Sequence, residues 1–257
     1  MNRNEIMSKN GILWTVAAVV VLVFSLAQPL LTGAQPVSGT IGIEGKKISY
    51  YFPREVESGE DYQFLIRNDN QKVTGYFLYQ MKDGKEIKKE LKISEGTLTG
   101  VIPSQAPGSL VSYTVFLRYG DKETQIPYKT TVQTGFTGKV SIIIKVIYPF
   151  FLFLGLLLAC RGGLEYFNPT PKFKLYTIFT TIFFICFGFF IVPVKNFMLL
   201  APAPGVVLEP SAMFNLESLF YPLFWIIISI LVFFRVKSGL VLLAGSILTI
   251  AGFILLG

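Results

Sequence analysis

Four carboxylates, Glu55, Glu57, Glu60 and Asp61, crowd around Gly59 and form the densest set of hard oxygen donors in the chain. Grouped carboxylates can hold Ca²⁺. These lack the spacing of an EF-hand loop, and a solvated connection between strands explains them as well. A second group is basic: Lys82, Lys85, Lys88, Lys89 and Lys92, interleaved with Glu86 and Glu90. Such a hairpin could meet anionic headgroups or an acidic partner. The plainer expectation is a solvated face that protects a sheet edge from unwanted pairing. Cys160 and Cys186 both lie in apolar runs, where a cysteine behaves as a small buried hydrophobe. The chain has no histidine, which removes the Ser-His-Asp triad, His-ligated haem and most zinc or copper sites. No Gly-rich phosphate loop is present. The sequence therefore predicts no catalytic, cofactor-binding or metal-ligating residue, no cofactor, and a protein that is not an enzyme.

The elements that carry these residues fall into two kinds. Of the 257 residues, 52% are hydrophobic and only 15% charged, with a mean hydropathy of +0.55. A soluble domain is about 25% charged. The deficit comes from long apolar runs, so the composition predicts an integral membrane protein. Residues 38–137 carry 13 Lys/Arg against 12 Asp/Glu, nearly balanced. The excess behind the net charge of +7 sits at the ends of the apolar runs, where cations anchor spans. A nucleic-acid binder gathers its charge on one face instead, so no nucleic-acid partner is expected.

Five apolar runs are legible. Residues 11–32 form the first, after a polar N-terminus at residues 1–10. A cleaved signal peptide competes with a retained anchor there, and the length of the run favours the anchor. The second span is read at residues 140–160, the third at 175–195, the fourth at 219–234 and the fifth at 240–257. A loop at residues 161–174, a Pro-rich connection at 196–218 and a basic turn at 235–239 join them. Lys145, in the first turns of the second span, can snorkel to the headgroups. Gly155 and Ala159, and Gly245, Thr249 and Gly252, place small residues where helices can pack closely. Residues 192–218, with Pro193, Pro202, Pro204, Gly205 and Pro210, read as irregular. They are expected to lie against the membrane, to dock on the β region, or to form a re-entrant element along a substrate path.

Between the first two spans, apolar and polar residues alternate in short stretches. Strands are predicted at residues 47–52, 61–67, 73–80, 87–93, 97–102, 110–118 and 124–132, with a tight turn at Asp83-Gly84. The run Gly100-Val101-Ile102-Pro103-Ser104-Gln105-Ala106-Pro107-Gly108 leads into Val111-Ser112-Tyr113-Thr114-Val115. Together with Gly75-Tyr76-Phe77-Leu78-Tyr79, it resembles bacterial immunoglobulin-like and fibronectin-III-like modules over residues 45–130. The resemblance implies a β-sandwich and no particular activity. The immunoglobulin Cys…Trp…Cys signature is absent.

The predicted fold class is thus a bundle of five transmembrane helices carrying one inserted all-β sandwich. Residues 1–10, 161–174 and 235–237 hold seven Lys/Arg and alternate onto one side, which the positive-inside tendency makes cytoplasmic. The β domain then lies outside a bacterial-type inner membrane. No Asp or Glu interrupts a predicted span beyond Val146, which argues against a pump, a proton-coupled carrier or an intramembrane protease. The expected function is non-catalytic display of the β domain, as an accessory or assembly subunit of a larger membrane complex or as a binder of an envelope partner. The expected partners are the bilayer and membrane or envelope proteins. The alternative is a component of a transporter or channel that uses residues 192–218.

Overall fold

A computed structural model describes residues 3–31, 35–43, 45–68, 72–80, 84–94, 96–201, 209–234 and 238–256. The chain divides into two compact units.

The β unit consists of two sheets. β1 (Val37–Ile43), β2 (Lys46–Phe52), β4 (Tyr62–Asn68), β8 (Thr97–Ile102) and β7 (Lys92–Ser94) form one, in the order β1-β2-β4-β8-β7. The other runs β3 (Glu55–Glu57), β11 (Val132–Thr137), β9 (Leu110–Tyr119), β5 (Thr74–Gln80), β6 (Glu86–Glu90), with β10 (Lys122–Ile126) paired to β9. All pairings are antiparallel except β3 with β11. Side chains alternate across a strand, and the burial follows. In β4, Tyr62, Phe64 and Ile66 are buried while Gln63, Leu65 and Arg67 are exposed. In β9, Val111, Tyr113, Val115 and Leu117 point into the core.

Aromatic rings fill the centre of that core. Phe64 stacks on Tyr113 at 5.3 Å and meets Phe52 and Phe77 edge-on at 5.5 and 5.2 Å. The Tyr62 and Tyr113 hydroxyls lie 3.2 Å apart, bonded to each other in the interior. Opposite Phe64 in the ladder stands Gly100, where a Cβ would run into the Phe64 ring. Burial drives the Tyr113 phenol up to about 12 and the Tyr62 phenol further above its usual range. Leu199 and Leu200 group with this unit: Gly138 N–H donates to Leu199 O at 2.6 Å, and Leu200 Cδ2 lies 3.6 Å from where a Gly108 Cβ would sit.

Two expected strands are each divided. Residues 87–93 contribute to both sheets, because buried Leu91 donates its N–H to Gly75 O and turns the chain from β6 into β7. Residues 124–132 break into β10 and β11 at Pro127, which offers no N–H to a ladder, and at left-handed Lys129 (φ 54°). The Asp83-Gly84 turn joins the paired strands β5 and β6; Gly84 has φ 78°, and Asp83 lies outside the described residues.

The second unit is helical. α1 spans Arg3–Leu31, α2 Ile142–Leu164, α3 Phe173–Cys186, α4 Val192–Leu200, α5 Pro210–Met213, α6 Leu216–Phe233 and α7 Ser238–Leu256. Among the described residues, five helical stretches are long and apolar enough to cross a membrane: Lys9–Leu30, Ile142–Phe167, Phe173–Leu200, Leu216–Phe233 and Ser238–Leu255. The third is the longest. α3 continues through a π turn, Phe187–Ile191, into α4. Residues 192–200, expected to be irregular, are therefore helical. Pro193 has no N–H and crowds the preceding turn of a helix; the widened π turn just ahead of it gives it room. Residues 202–208, which include Pro202, Pro204 and Gly205, lie outside the described residues. Ser141 caps α2, its Oγ accepting from Ile143 N–H at 3.3 Å, and Asn215 caps α6 through Ser218 N–H at 3.0 Å.

Small residues set the helix spacing. A Cβ on Gly155 would lie 2.8 Å from the Phe184 ring, and one on Gly252 would lie 2.5 Å from Phe220. Ala159 O accepts from Ser246 Oγ at 2.5 Å, and Thr249 Oγ1 accepts from Trp225 Nε1 at 3.0 Å. The glycine and alanine stripes thus serve packing inside this bundle.

Candidate functional site

Of the carboxylates around Gly59, Asp61 is tied into its loop. Asp61 Oδ1 accepts from Ser104 N–H at 2.9 Å, and Ser104 Oγ accepts from Gly59 N–H at 3.0 Å. Glu55 and Glu57 point outward from the short edge strand β3. Among the described residues, no three His, Cys, Asp or Glu side chains are grouped to hold a metal ion.

Of the basic hairpin, Lys88 and Lys89 sit over aromatic rings. Lys88 Nζ lies 4.0 Å above Tyr76, and Lys89 Nζ 5.5 Å above Tyr79. The Arg118 guanidinium stands 4.6 Å from the Tyr76 ring and pairs with Glu123 at 2.8 Å, while Tyr76 Oη donates to Glu123 at 2.9 Å. Glu123 is held below the usual carboxylate range by the hydrogen bonds from Arg118 and Tyr76. Lys82 lies outside the described residues.

The other sheet carries a groove. β2 and β4 pair only from Ile48↔Asn68 to Tyr50↔Ile66 and then separate. The opening, about 480 Å³, is lined on its outer side by Ser49, Tyr51, Pro53, Gln63, Leu65 and Arg67. Tyr51 and Leu65 are 58% and 56% exposed, large apolar surfaces facing water beside a guanidinium. This surface was not singled out from sequence. The alternation marks Leu65 as outward-facing, but the gap beside it depends on where two strands part.

In the helical unit the sequence reading is corrected. Arg161 and Glu165 both fall in the loop expected at residues 161–174. α2 instead continues past both glycines that follow Arg161, and a 3₁₀ turn, Glu165–Phe167, extends it. Arg161 is 0% exposed and Glu165 1%. Spaced i,i+4, they share one helix face, and Arg161 Nη1 approaches Glu165 Oε1 at 2.6 Å, off the N–H axis. Arg161 Nη2 donates to Asn10 Oδ1, and its guanidinium lies 4.8 Å from the Tyr176 ring and 5.6 Å from Trp14. Glu165 accepts from Asn168 Nδ2 at 3.0 and 3.2 Å and from Lys172 N–H at 2.6 Å. Among the described residues, Arg161 Nε has no acceptor. The second span, expected at residues 140–160, runs to Phe167, so the expectation that no Asp or Glu interrupts a span fails at Glu165. What is buried there is a matched pair clamped by α1, α2 and the start of α3. Its carboxylate oxygens are occupied, and a guanidinium has no lone pair to accept a proton. The pair suits a clasp better than a proton relay.

Near the opposite end of α2, Tyr148 Oη donates to Glu217, and Lys195 Nζ sits 3.7 Å over the Tyr148 ring. Phe187, the first residue of the π turn, packs 5.2 Å from that ring. Lys145 is exposed in the second turn of α2. Cys160 is buried and Cys186 half-buried, both as free thiols.

The chain matches no protein-family model, no curated protein and no solved structure.

Proposed function

We propose that this chain is a non-catalytic membrane protein that displays its β unit, an immunoglobulin-like sandwich, on the outer side of a bacterial-type inner membrane. There it serves as an accessory or assembly subunit of a larger membrane complex, or binds an envelope partner. The observation that carries the reading is the groove between β2 and β4. Tyr51 and Arg67 are of the residue types that anchor protein interfaces, and Leu65 adds exposed apolar area beside them. Support also comes from the helical unit, where Arg161 and Glu165 neutralise one another and some core hydroxyls bond across helices. Thr181 Oγ1 and Ser229 Oγ, for example, lie 2.7 Å apart.

The test is purification from native membranes in a mild detergent. The expected result is a particle larger than the monomer, with a stoichiometric second subunit. That subunit is lost in the Tyr51→Ala/Leu65→Ser variant, whose exposed changes shift stability by only about 0.5 kcal/mol. A monomer under conditions that keep other membrane complexes intact overturns the reading.

A transporter or channel component is the second reading. The π turn beside Tyr148, Glu217 and Lys195 favours it, since such turns recur at functional sites. It requires that Glu217→Gln change a measured flux in proteoliposomes.

A further inference from the structure

Where α3, α6 and α7 meet, the helical unit has an open groove of about 650 Å³ lined by Pro171, Lys172, Phe173, Lys174, Val232 and Ser238, with Leu175 and Gly239. Two features of its lining point to one kind of occupant. Among the described residues, the two charged residues of the lining are both lysines, and no acidic side chain lines the groove. Glu165 lies behind Lys172 and accepts its backbone N–H, but that carboxylate is already matched by Arg161. The rest of the wall is apolar, from Phe173, Leu175 and Val232. Lys174 Nζ is held 5.2 Å over the Phe233 ring, so its charge stays at the groove. Ser238 and Gly239 belong to the first turn of α7, where backbone N–H groups lack helical acceptors. A cationic mouth over apolar walls, at the ends of spans, matches a phosphate headgroup with acyl chains beneath it. A soluble anion would gain nothing from the apolar part.

We propose that this groove is a binding site for the headgroup of an anionic phospholipid, with Lys172 and Lys174 on its phosphate and Phe173, Leu175 and Val232 against the upper acyl chain. The inference rests on the membrane-spanning reading of the helices. It also needs the α2–α3 and α6–α7 connections at the same end of the bundle, and the groove itself brings Lys172 and Lys174 together with Ser238 and Gly239. Polybasic sites of this kind gain roughly a factor of five per lysine near an anionic surface.

The full chain in detergent is titrated with phosphatidylglycerol, phosphatidylcholine or inorganic phosphate, and bound lipid is counted by native mass spectrometry. Phosphatidylglycerol is expected to bind in preference to phosphatidylcholine. Lys172→Gln/Lys174→Gln weakens that binding by about thirtyfold, and Lys139→Gln/Lys145→Gln leaves it nearly unchanged. Equal weakening by both double variants means diffuse charge attraction and overturns the site. So does unchanged binding in Lys172→Gln/Lys174→Gln, or displacement of the lipid by millimolar phosphate. Carbonate extraction of native membranes separates the two failures. A chain that washes off refutes the membrane reading. A chain that stays integral without selective lipid binding refutes only this site.

Discussion

Arg161 and Glu165 show how much a single buried pair can decide. Removing water from both charges is costly, and the mutual attraction repays it only while both are present. Arg161→Met or Glu165→Leu alone is therefore expected to destabilise the helical unit by about 3–5 kcal/mol. The Arg161→Met/Glu165→Leu double variant loses much less than the sum, yet stays below the parent because Asn168 Nδ2 and Lys172 N–H lose their acceptor. Thermal melts in detergent, arranged as a double-mutant cycle, check this; additive losses would show that the two side chains act separately. In the β unit the buried phenols set an alkaline limit. A tyrosine with a raised folded-state pKa holds its proton after the unfolded chain has lost it. The stabilisation is complete below about pH 10, the unfolded value, and is lost as pH rises toward the folded value, about 12 for Tyr113. Denaturant titrations of the full chain, followed by tyrosine signals, should be flat from pH 7 to 9 and fall beyond 10. Tyr113→Phe should flatten that fall.

At the level of elements, the strands differ in how firmly they are held. β9 is paired with β5 along one edge and with β11 and β10 along the other, and its inward face is aromatic and aliphatic core. β3 and β7 have three residues each and lie at sheet edges. Hydrogen exchange is expected to be slowest in β9 and fastest in β3 and β7. Equal protection across these strands would contradict the pairing. The same contrast explains what the sequence could reveal. The strand at 97–102 coincides with β8 because Leu98, Gly100 and Ile102 alternate with outward residues without interruption. Residues 87–93 read as one strand because Ile87, Leu91 and Ile93 alternate as well. Which sheet each half joins is a tertiary choice made at Leu91. β1 lies outside the strands expected from sequence, since Ser38, Gly39 and Gly42 weaken the strand signal while β2 supplies the ladder. Arg161 escaped notice because a cation at the end of an apolar run reads as a flank. The spacing to Glu165 is legible, but the burial comes from Asn10 and Trp14 on α1, far away in the chain, and from Tyr176 on α3.

For the whole molecule, the helical unit pairs its buried charges and bonds hydroxyls across helices, and the β unit carries an open groove between β2 and β4. The proposed function assigns the first unit to the bilayer and the second to display. Protease added to spheroplasts is expected to remove the β unit and spare residues 161–174. Cleavage within 161–174 would invert the orientation, and with it the side of the membrane on which partners are sought.

The π turn at Phe187–Ile191 carries one more consequence. Each residue of an α-helix advances the chain about 100° around its axis. A π turn fits about one more residue into a turn than regular α winding does. Deleting one residue from Phe187-Gly188-Phe189-Phe190-Ile191 would therefore restore regular winding with little net rotation, and Lys195 would keep its place over the Tyr148 ring. The same deletion made within α3, with the π turn intact, would instead swing α4 by about 100° and carry Lys195 off that ring.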